Sequence, residues 1–252
     1  VIPFSLNEDW NLISRTILPI VDQNDVPFSG VSEFGLSDTA QSFFFSPKAP
    51  TSGGWIWGAG PVLLLPTATD EVLGNEKWGI GPTAVVLKQQ GPWTYGGLAN
   101  HIESFAGESN RADISATFLQ PFVSYITQSK TTYAVNFEST YDWETRNWSI
   151  PLNLTANQLL RFGNQMVSVG GGIRYWVDSP DSGPEGWGLR LQFTLLYPMY
   201  AASGACPRAA AAGLAWPAGD ARNSGSAAPR AAGHHSPVRV VASQPAVGTS
   251  GR

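Results

Sequence analysis

Apolar and polar residues alternate one for one along unusually long stretches of this chain. Successive side chains of an extended backbone point to opposite faces, so such a pattern folds as a sheet with two unlike surfaces. Tyr133, Val135, Phe137, Ser139, Tyr141 and Trp143 share one face, and Asn136, Glu138, Thr140 and Asp142 share the other. Trp148, Ile150, Leu152 and Leu154 then stand against Ser149, Asn153 and Thr155. Val167, Val169, Ile173, Tyr175 and Val177 stand against Ser168, Gly170, Gly172, Arg174 and Trp176, and Trp187, Leu189, Leu191, Phe193, Leu195 and Tyr197 against Gly188, Arg190, Gln192 and Thr194. A slip of one residue would invert every side chain, so these registers are strongly specified.

Earlier strands are expected near 10–20, 34–46, 55–66, 78–89, 93–105 and 113–126. Gln90-Gly91-Pro92 and Gln128-Ser129-Lys130 read as tight turns; 21–33, 67–77, 106–113 and 178–186 read as longer polar loops. Tight turns at one end and long loops at the other describe an up-and-down antiparallel meander with no room for helices. The prolines at 61 and 82 lack a ladder donor, so local bulges are expected there.

Strand length and aromatics decide which side of the sheet meets the surroundings. Strands of about 9–11 tilted residues span a bilayer, whereas soluble strands peak near about 5–6. Trp93, Tyr95, Tyr125, Tyr133 and Tyr197 fall at the tight-turn ends; Trp78, Tyr141, Trp143, Trp148 and Trp187 fall at the long-loop ends. Two aromatic girdles separated by aliphatic residues fit rings lying at headgroup level. The expected fold is therefore all-β: an antiparallel up-and-down transmembrane β-barrel over residues 1–198. About ten strands are legible from Asn11 onward. Val1-Ile2-Pro3-Phe4 reads as the end of another, and the even counts of bacterial barrels give about twelve in the intact protein. A signal peptide is not expected within this chain, which the reading takes as lacking its own beginning.

The remaining composition excludes other classes. A net charge of −4 and a pI near 5.3 argue against a nucleic-acid partner. One cysteine, Cys206, allows neither a disulfide framework nor a cysteine zinc site. Residues 199–252 are Ala/Gly/Pro/Ser/Arg-rich, with five arginines against one aspartate and no Phe, Ile or Lys. Such a segment buries too little to offset its ordering entropy, so a tail that is disordered, or an artefactual appended segment, is expected. Its Cys206, His234 and His235 match no metal-ligand spacing, and neither metal nor cofactor is expected.

The segments Trp57-Gly58-Ala59-Gly60-Pro61-Val62-Leu63-Leu64-Leu65-Pro66-Thr67-Ala68-Thr69-Asp70, Lys77-Trp78-Gly79-Ile80-Gly81-Pro82 and Gly91-Pro92-Trp93-Thr94-Tyr95-Gly96 carry a resemblance. So do Phe118-Leu119-Gln120-Pro121-Phe122, Glu138-Ser139-Thr140-Tyr141-Asp142-Trp143 and the run from Asp178-Ser179-Pro180 to Gly188-Leu189-Arg190. Over about residues 1–198 the chain resembles a Gram-negative outer-membrane transporter family, sometimes labelled neuromedin U. That family is related to the outer-membrane proteins of the phenol-degradation meta-pathway. The resemblance implies a barrel in the outer membrane with a role in uptake of hydrophobic or aromatic compounds. The chain departs from the family at both ends.

Inside such a barrel the ionisable residues on polar faces are the candidate lumen and selectivity groups: Arg15, Glu138, Asp142, Arg174 and Arg190, with Gln192 beside them. A Glu138–Arg174/Arg190 network is expected, because buried charges must be paired or solvated. It serves either to fill a narrow lumen or to select ions. Closure is expected to pair the first and last strands and bring Arg15 near Arg190. The repeated Trp-Gly-x-Gly-Pro at 57–61 and 78–82 puts Val62, Leu64, Val85 and Leu87 on the inner face as an apolar stripe, either packing or a slide for greasy solutes. No catalytic residues are expected: His101 and Ser104, three apart, lie on opposite faces of their strand. The reading is a passive channel for small hydrophobic or aromatic solutes, with the lipid bilayer as partner. The alternatives are a non-transporting structural or adhesive barrel and a soluble β-barrel carrier of a lipophilic ligand.

Overall fold

The computed structural model describes residues 1–24, 32–163, 165–180, 183–198 and 238–242. Its strands are β1 (Ile2–Ser5), β2 (Trp10–Ile17), β3 (Ile20–Asn24), β4 (Ser32–Leu36), β5 (Thr39–Pro47), β6 (Trp55–Leu65), β7 (Lys77–Gln90) and β8 (Trp93–Gly107). They continue as β9 (Ser115–Ile126), β10 (Thr131–Phe137), β11 (Ser139–Asp142), β12 (Asn147–Phe162), β13 (Gln165–Asp178), β14 (Gly186–Pro198) and β15 (Val238–Ala242). One large antiparallel sheet runs β1-β2-β5-β6-β7-β8-β9-β10-β12-β13-β14-β15, with β11 continuing β10 between β9 and β12. Among the described residues the only helical turn is the single 3-10 turn Glu71–Leu73.

Neighbours in this sheet are neighbours in sequence, as the meander requires. Gly91 and Gly163 sit at φ +58° and +60° in the tight turns, a region that costs glycine nothing. The stretch expected as one strand over 34–46 divides. Residues 32–36 turn back on β3 as a separate hairpin, and only β5 joins the main sheet. Asp38 marks the division: its carboxylate accepts from the amides of Asn75 at 2.7 Å and Ala68 at 3.3 Å, pinning the chain to the 66–76 loop. At the same end Lys77 pairs with Asp113 at 2.9 Å and Arg111 with Glu76 at 2.5 Å. The Lys77 ammonium holds the Asp113 carboxyl below its ordinary value.

The bulges expected at Pro61 and Pro82 are not there. The two prolines face each other in a β6–β7 register that is continuous from Trp55↔Lys88 to Leu64↔Gly79. Each forgoes its bond on the other side instead, so pairing lapses between Ser42↔Val62 and Phe45↔Ala59, and between Ile80↔Glu103 and Thr83↔Asn100. The glycine before each proline is needed at that gap. A Cβ on Gly60 would lie 2.1 Å from the Phe43 carbonyl oxygen, and one on Gly81 1.7 Å from that of His101. The Gly-Pro repeat thus lets neighbouring backbones close in where a ladder bond is missing.

The sheet curls until β15 lies beside β1. On its inner face Ile13, Phe44 and Leu98 form a buried cluster, joined by Val85 and Phe118 from β7 and β9. Otherwise the interior is polar: 18 buried side chains among the described residues are polar or charged against 10 hydrophobic. The outer face carries the large apolar residues, with Leu189 89% and Leu191 77% exposed.

The expected disordered tail needs a correction at five residues. Val238–Ala242 pair with Thr194–Pro198 as β15, while 199–237, 243–252, Cys206, His234 and His235 lie outside the described residues. The free edge of β14 offers unpaired backbone groups, and the run Val-Arg-Val-Val-Ala is suited to an extended partner. So β1 and β15, rather than β2 and β14, are the two ends of the sheet's strand order. Val240→Pro removes the amide opposite Leu196 and should lower the unfolding free energy by about 1 kcal/mol. Circular dichroism against denaturant checks this; an unchanged midpoint would mean β15 adds no stability.

Candidate functional site

Glu138 occupies the one-residue break between β10 and β11. Pro151 is opposite it on β12, and a proline there cannot donate to the ladder. The Glu138 amide still donates to the Pro151 carbonyl, at 3.1 Å, so the strand passes the break without changing faces. Registers on both sides agree before and after it. Glu138 therefore keeps the inward facing that alternation assigns it.

Three strands converge on this carboxylate. Arg174 on β13 donates from Nη2 to Glu138 Oε2, and Arg190 on β14 donates from Nη1 to Oε1 at 2.8 Å. Gln120 on β9 adds an amide donor to Oε1 at 3.4 Å. Asn153 on β12, 0% exposed, ties the group together. Its Oδ1 accepts from Arg174 Nε at 2.7 Å and Arg190 Nη1 at 3.2 Å, and its Nδ2 donates to Asn136 Oδ1 at 2.8 Å. Trp176 stacks its ring 5.5 Å from the Arg174 guanidinium, a cation–π contact. Arg15 on β2 is also buried and feels the Glu138 charge, but it forms no ion pair among the described residues. Arg190 Nε, Gln120 Oε1 and both side-chain amide atoms of Asn157 are buried without a hydrogen-bond partner among the described residues.

The expected Glu138–Arg174/Arg190 grouping is thus assembled, and the other candidates divide. Asp142 does not join it. It lies in the last pair of β11, and its carboxylate accepts from the amides of Glu144 at 2.8 Å and Thr145 at 3.2 Å. An aspartate at a strand end closes the following turn in this way. Gln192 is half-buried opposite Gly170, off the network. Asn153 and Gln120, which complete the cluster, were not among the candidates. Their parity on an inward face was the one available signal.

Val62 and Leu87 are buried at 1% and 3% exposure, and Leu64 and Val85 are half-buried on the same face. Val85 packs on the Ile13–Phe44–Leu98 cluster, so that part of the stripe is packing. A void of about 10 Å³ lies there, lined by Arg15, Ile13, Phe44, Val85, Leu87 and Leu98 among others.

On the outer face Trp78, Trp93, Tyr125, Tyr133, Trp143, Trp148 and Trp187 are exposed. Tyr95 meets Trp55 edge-on at 5.8 Å, and Tyr141 packs between Trp143 and Trp148 at 4.8 and 4.9 Å. The side chain of Tyr197 lies outside the described residues. Trp10 and Trp55, not anticipated, extend the tight-turn belt. Between the belts a groove of about 440 Å³ runs over Ala156 and Gly171, flanked by Val135, Leu154 and Ile173.

His101 and Ser104 do not meet. His101 bonds Thr117 Oγ1 at 2.9 Å and Glu103 at 3.1 Å, while Ser104 Oγ accepts from the Ile114 amide at 2.9 Å. Trp143 Nε1 donates to the same Thr117 hydroxyl at 2.9 Å, so this cluster ties β8, β9 and the loop after β11.

No family model, curated protein or solved structure matches the chain.

The network makes a thermodynamic prediction. Removing one partner of a buried ion pair is costly because the other is left uncompensated, by about 3–5 kcal/mol. Glu138→Gln should therefore destabilise more than Glu138→Gln/Arg174→Met, in which one stranded guanidinium is also removed. A double-mutant cycle on unfolding free energy measures the coupling. Additive effects would show that the contacts carry no net energy.

Proposed function

We propose that this chain is a transmembrane β-barrel of a Gram-negative outer membrane and acts as a passive channel for small hydrophobic or aromatic solutes. One observation carries the reading: polar side chains line the inside of the curled sheet while Leu, Val, Ile and Phe cover the outside. Apolar surface left in water costs about 25 cal/mol per Å², so that outside calls for a hydrocarbon environment. The same environment demands that backbone groups bond laterally to neighbouring strands, which the meander supplies. The exposed tryptophans and tyrosines at both strand ends suit the two headgroup layers, and the groove over Ala156 and Gly171 suits an acyl chain. The interior apolar wall beside a charged cluster supports the solute class, as does the resemblance to outer-membrane transporters.

A second reading, a non-transporting barrel, is favoured by the close packing of the inner wall beside Arg15, where a void measures about 10 Å³. Liposome swelling separates the two. Vesicles holding the full chain should shrink and then re-swell faster than empty ones in a neutral aromatic solute such as benzyl alcohol glycoside. Equal rates would leave the barrel and remove the channel.

The outward assignment has its own test. Leu191→Arg places a charge at the centre of β14's outer face and should destabilise the protein in bilayers by about 2–4 kcal/mol. In a soluble carrier the same change, at a residue 77% exposed, would be neutral or would improve solubility. Folding without detergent and an unchanged unfolding free energy for the variant would decide for the carrier.

A further inference from the structure

We infer that the outer face binds one membrane phospholipid with an anionic headgroup, its acyl chain in the groove over Ala156 and Gly171 and its phosphate at Lys130. The inference deepens the membrane reading above and rests on it. The groove follows from register. One ladder row crosses the outer face as Trp93↔Tyr125↔Tyr133↔Ala156↔Gly171↔Leu191. Two small residues stand side by side in that row, with an aromatic wall on one flank and Leu191 on the other. Trp93 and Tyr125, edge-on at 4.9 Å, belong to that wall. The next row toward the strand middles, Val135↔Leu154↔Ile173, continues the apolar surface. The groove so formed measures about 440 Å³.

What lies beyond the groove selects the headgroup. One row nearer the tight turns the outer face becomes polar at Thr131↔Gln158. Thr131 Oγ1 donates to Gln158 Oε1 at 2.6 Å, and Gln158 Nε2 donates to the Ser129 carbonyl at 2.8 Å. Hydrocarbon therefore gives way to headgroups at that row. Lys130 tips the turn just above it, at φ +64°. It stands three residues from Tyr133, about 10 Å along an extended strand. Arg161 begins the next turn and is exposed. Neither cation forms an ion pair among the described residues. Residues 86–96, 123–137 and 157–168 contain Lys88, Lys130 and Arg161 and no Asp or Glu. The opposite ends of the same strands carry Glu103, Glu108, Asp113, Asp142, Glu144 and Asp178. A phosphate is thus attracted at the end where the groove opens and repelled at the other. A second copy of the chain could cover the small residues too, but it would leave these cations unanswered.

Native mass spectrometry of the full chain tests the site without any need for flux. The protein is refolded in a non-ionic detergent and mixed with equal amounts of dioleoyl phosphatidylglycerol and dioleoylglycerol, which share their chains and differ in the phosphate headgroup. One phosphatidylglycerol should be retained per chain, in excess of dioleoylglycerol by about five-fold or more, the effect of one lysine near an anionic headgroup. Lys130→Gln should lower that ratio about five-fold, and Lys130→Arg should keep it. Ala156→Phe, at an exposed position, fills the groove and should end retention of both lipids. Equal retention of the two lipids, a ratio unchanged in Lys130→Gln, or retention that survives in Ala156→Phe overturns the site. A dimer mass that Ala156→Phe abolishes also overturns it, and gives the groove to a second copy. Should Ala156→Phe not refold, Ala156→Leu takes its place, and the wild-type ratio and Lys130→Gln decide without either. Folding without detergent would remove the membrane reading itself; loss of lipid preference in a chain that still needs detergent removes only this site.

Discussion

Each long strand is bonded to its chain neighbour in a register that keeps its face, and this continuous antiparallel ladder decides where every side chain goes. Along β12–β13 the pairing runs from Phe162↔Gln165 to Pro151↔Trp176 before it shifts beside Ile150. Along β13–β14 it runs from Met166↔Leu196 to Trp176↔Gly186. One residue of slip in either would carry Arg174 or Arg190 to the outer face and Tyr175 or Leu191 to the inner one. The Trp-Gly-x-Gly-Pro repeats protect that register at its weakest point. They omit ladder bonds at Pro61 and Pro82 without inserting a residue, and the glycines bring the strands close enough to hold.

The curled sheet then sorts its interior into two territories. One is apolar, built from Ile13, Phe44, Leu98, Val85 and Phe118 across four strands of the first half and β9. The other is electrostatic and built from β10 to β14, where Glu138 and Asn153 bridge Arg174 and Arg190. Arg15 stands at their border, next to the apolar wall and within the field of Glu138. A buried ion cluster is costly to desolvate, and apolar replacements of similar volume often stabilise more. In the proposed reading its presence inside a membrane-spanning sheet belongs to what passes or binds there.

Much of this was legible residue by residue. Glu138, Arg174 and Arg190 share inward parity on strands that the meander places within reach of long side chains, so their grouping needed only alternation and strand order. Asp142 has the same parity as Glu138 and went elsewhere, because a carboxylate beside a turn finds two amides locally before it finds a distant cation. Asn153 gave no signal of its own: a neutral amide inside a polar face looks like any other, and its importance lies in contacts with three other strands. Val238–Ala242 was hidden for a different reason. Its surroundings in sequence are poor in apolar residues, and only the unpaired edge at Thr194–Pro198 gives a strand there something to bond.

The sequence by itself determined the long strands of the main sheet, their order and which of their residues face which way. Those follow from covalent geometry, since an extended backbone alternates its side chains whatever surrounds it. It also determined the separation of aromatic strand ends from aliphatic strand middles. The tertiary structure decided what meets across the interior and at the seam: Arg15 against an apolar wall, Asn153 between two arginines, β15 rather than β2 beside β14, and β3–β4 set apart as a hairpin. Those depend on how far the sheet curls and on contacts between residues distant in the chain, and a local period of two carries no information about either.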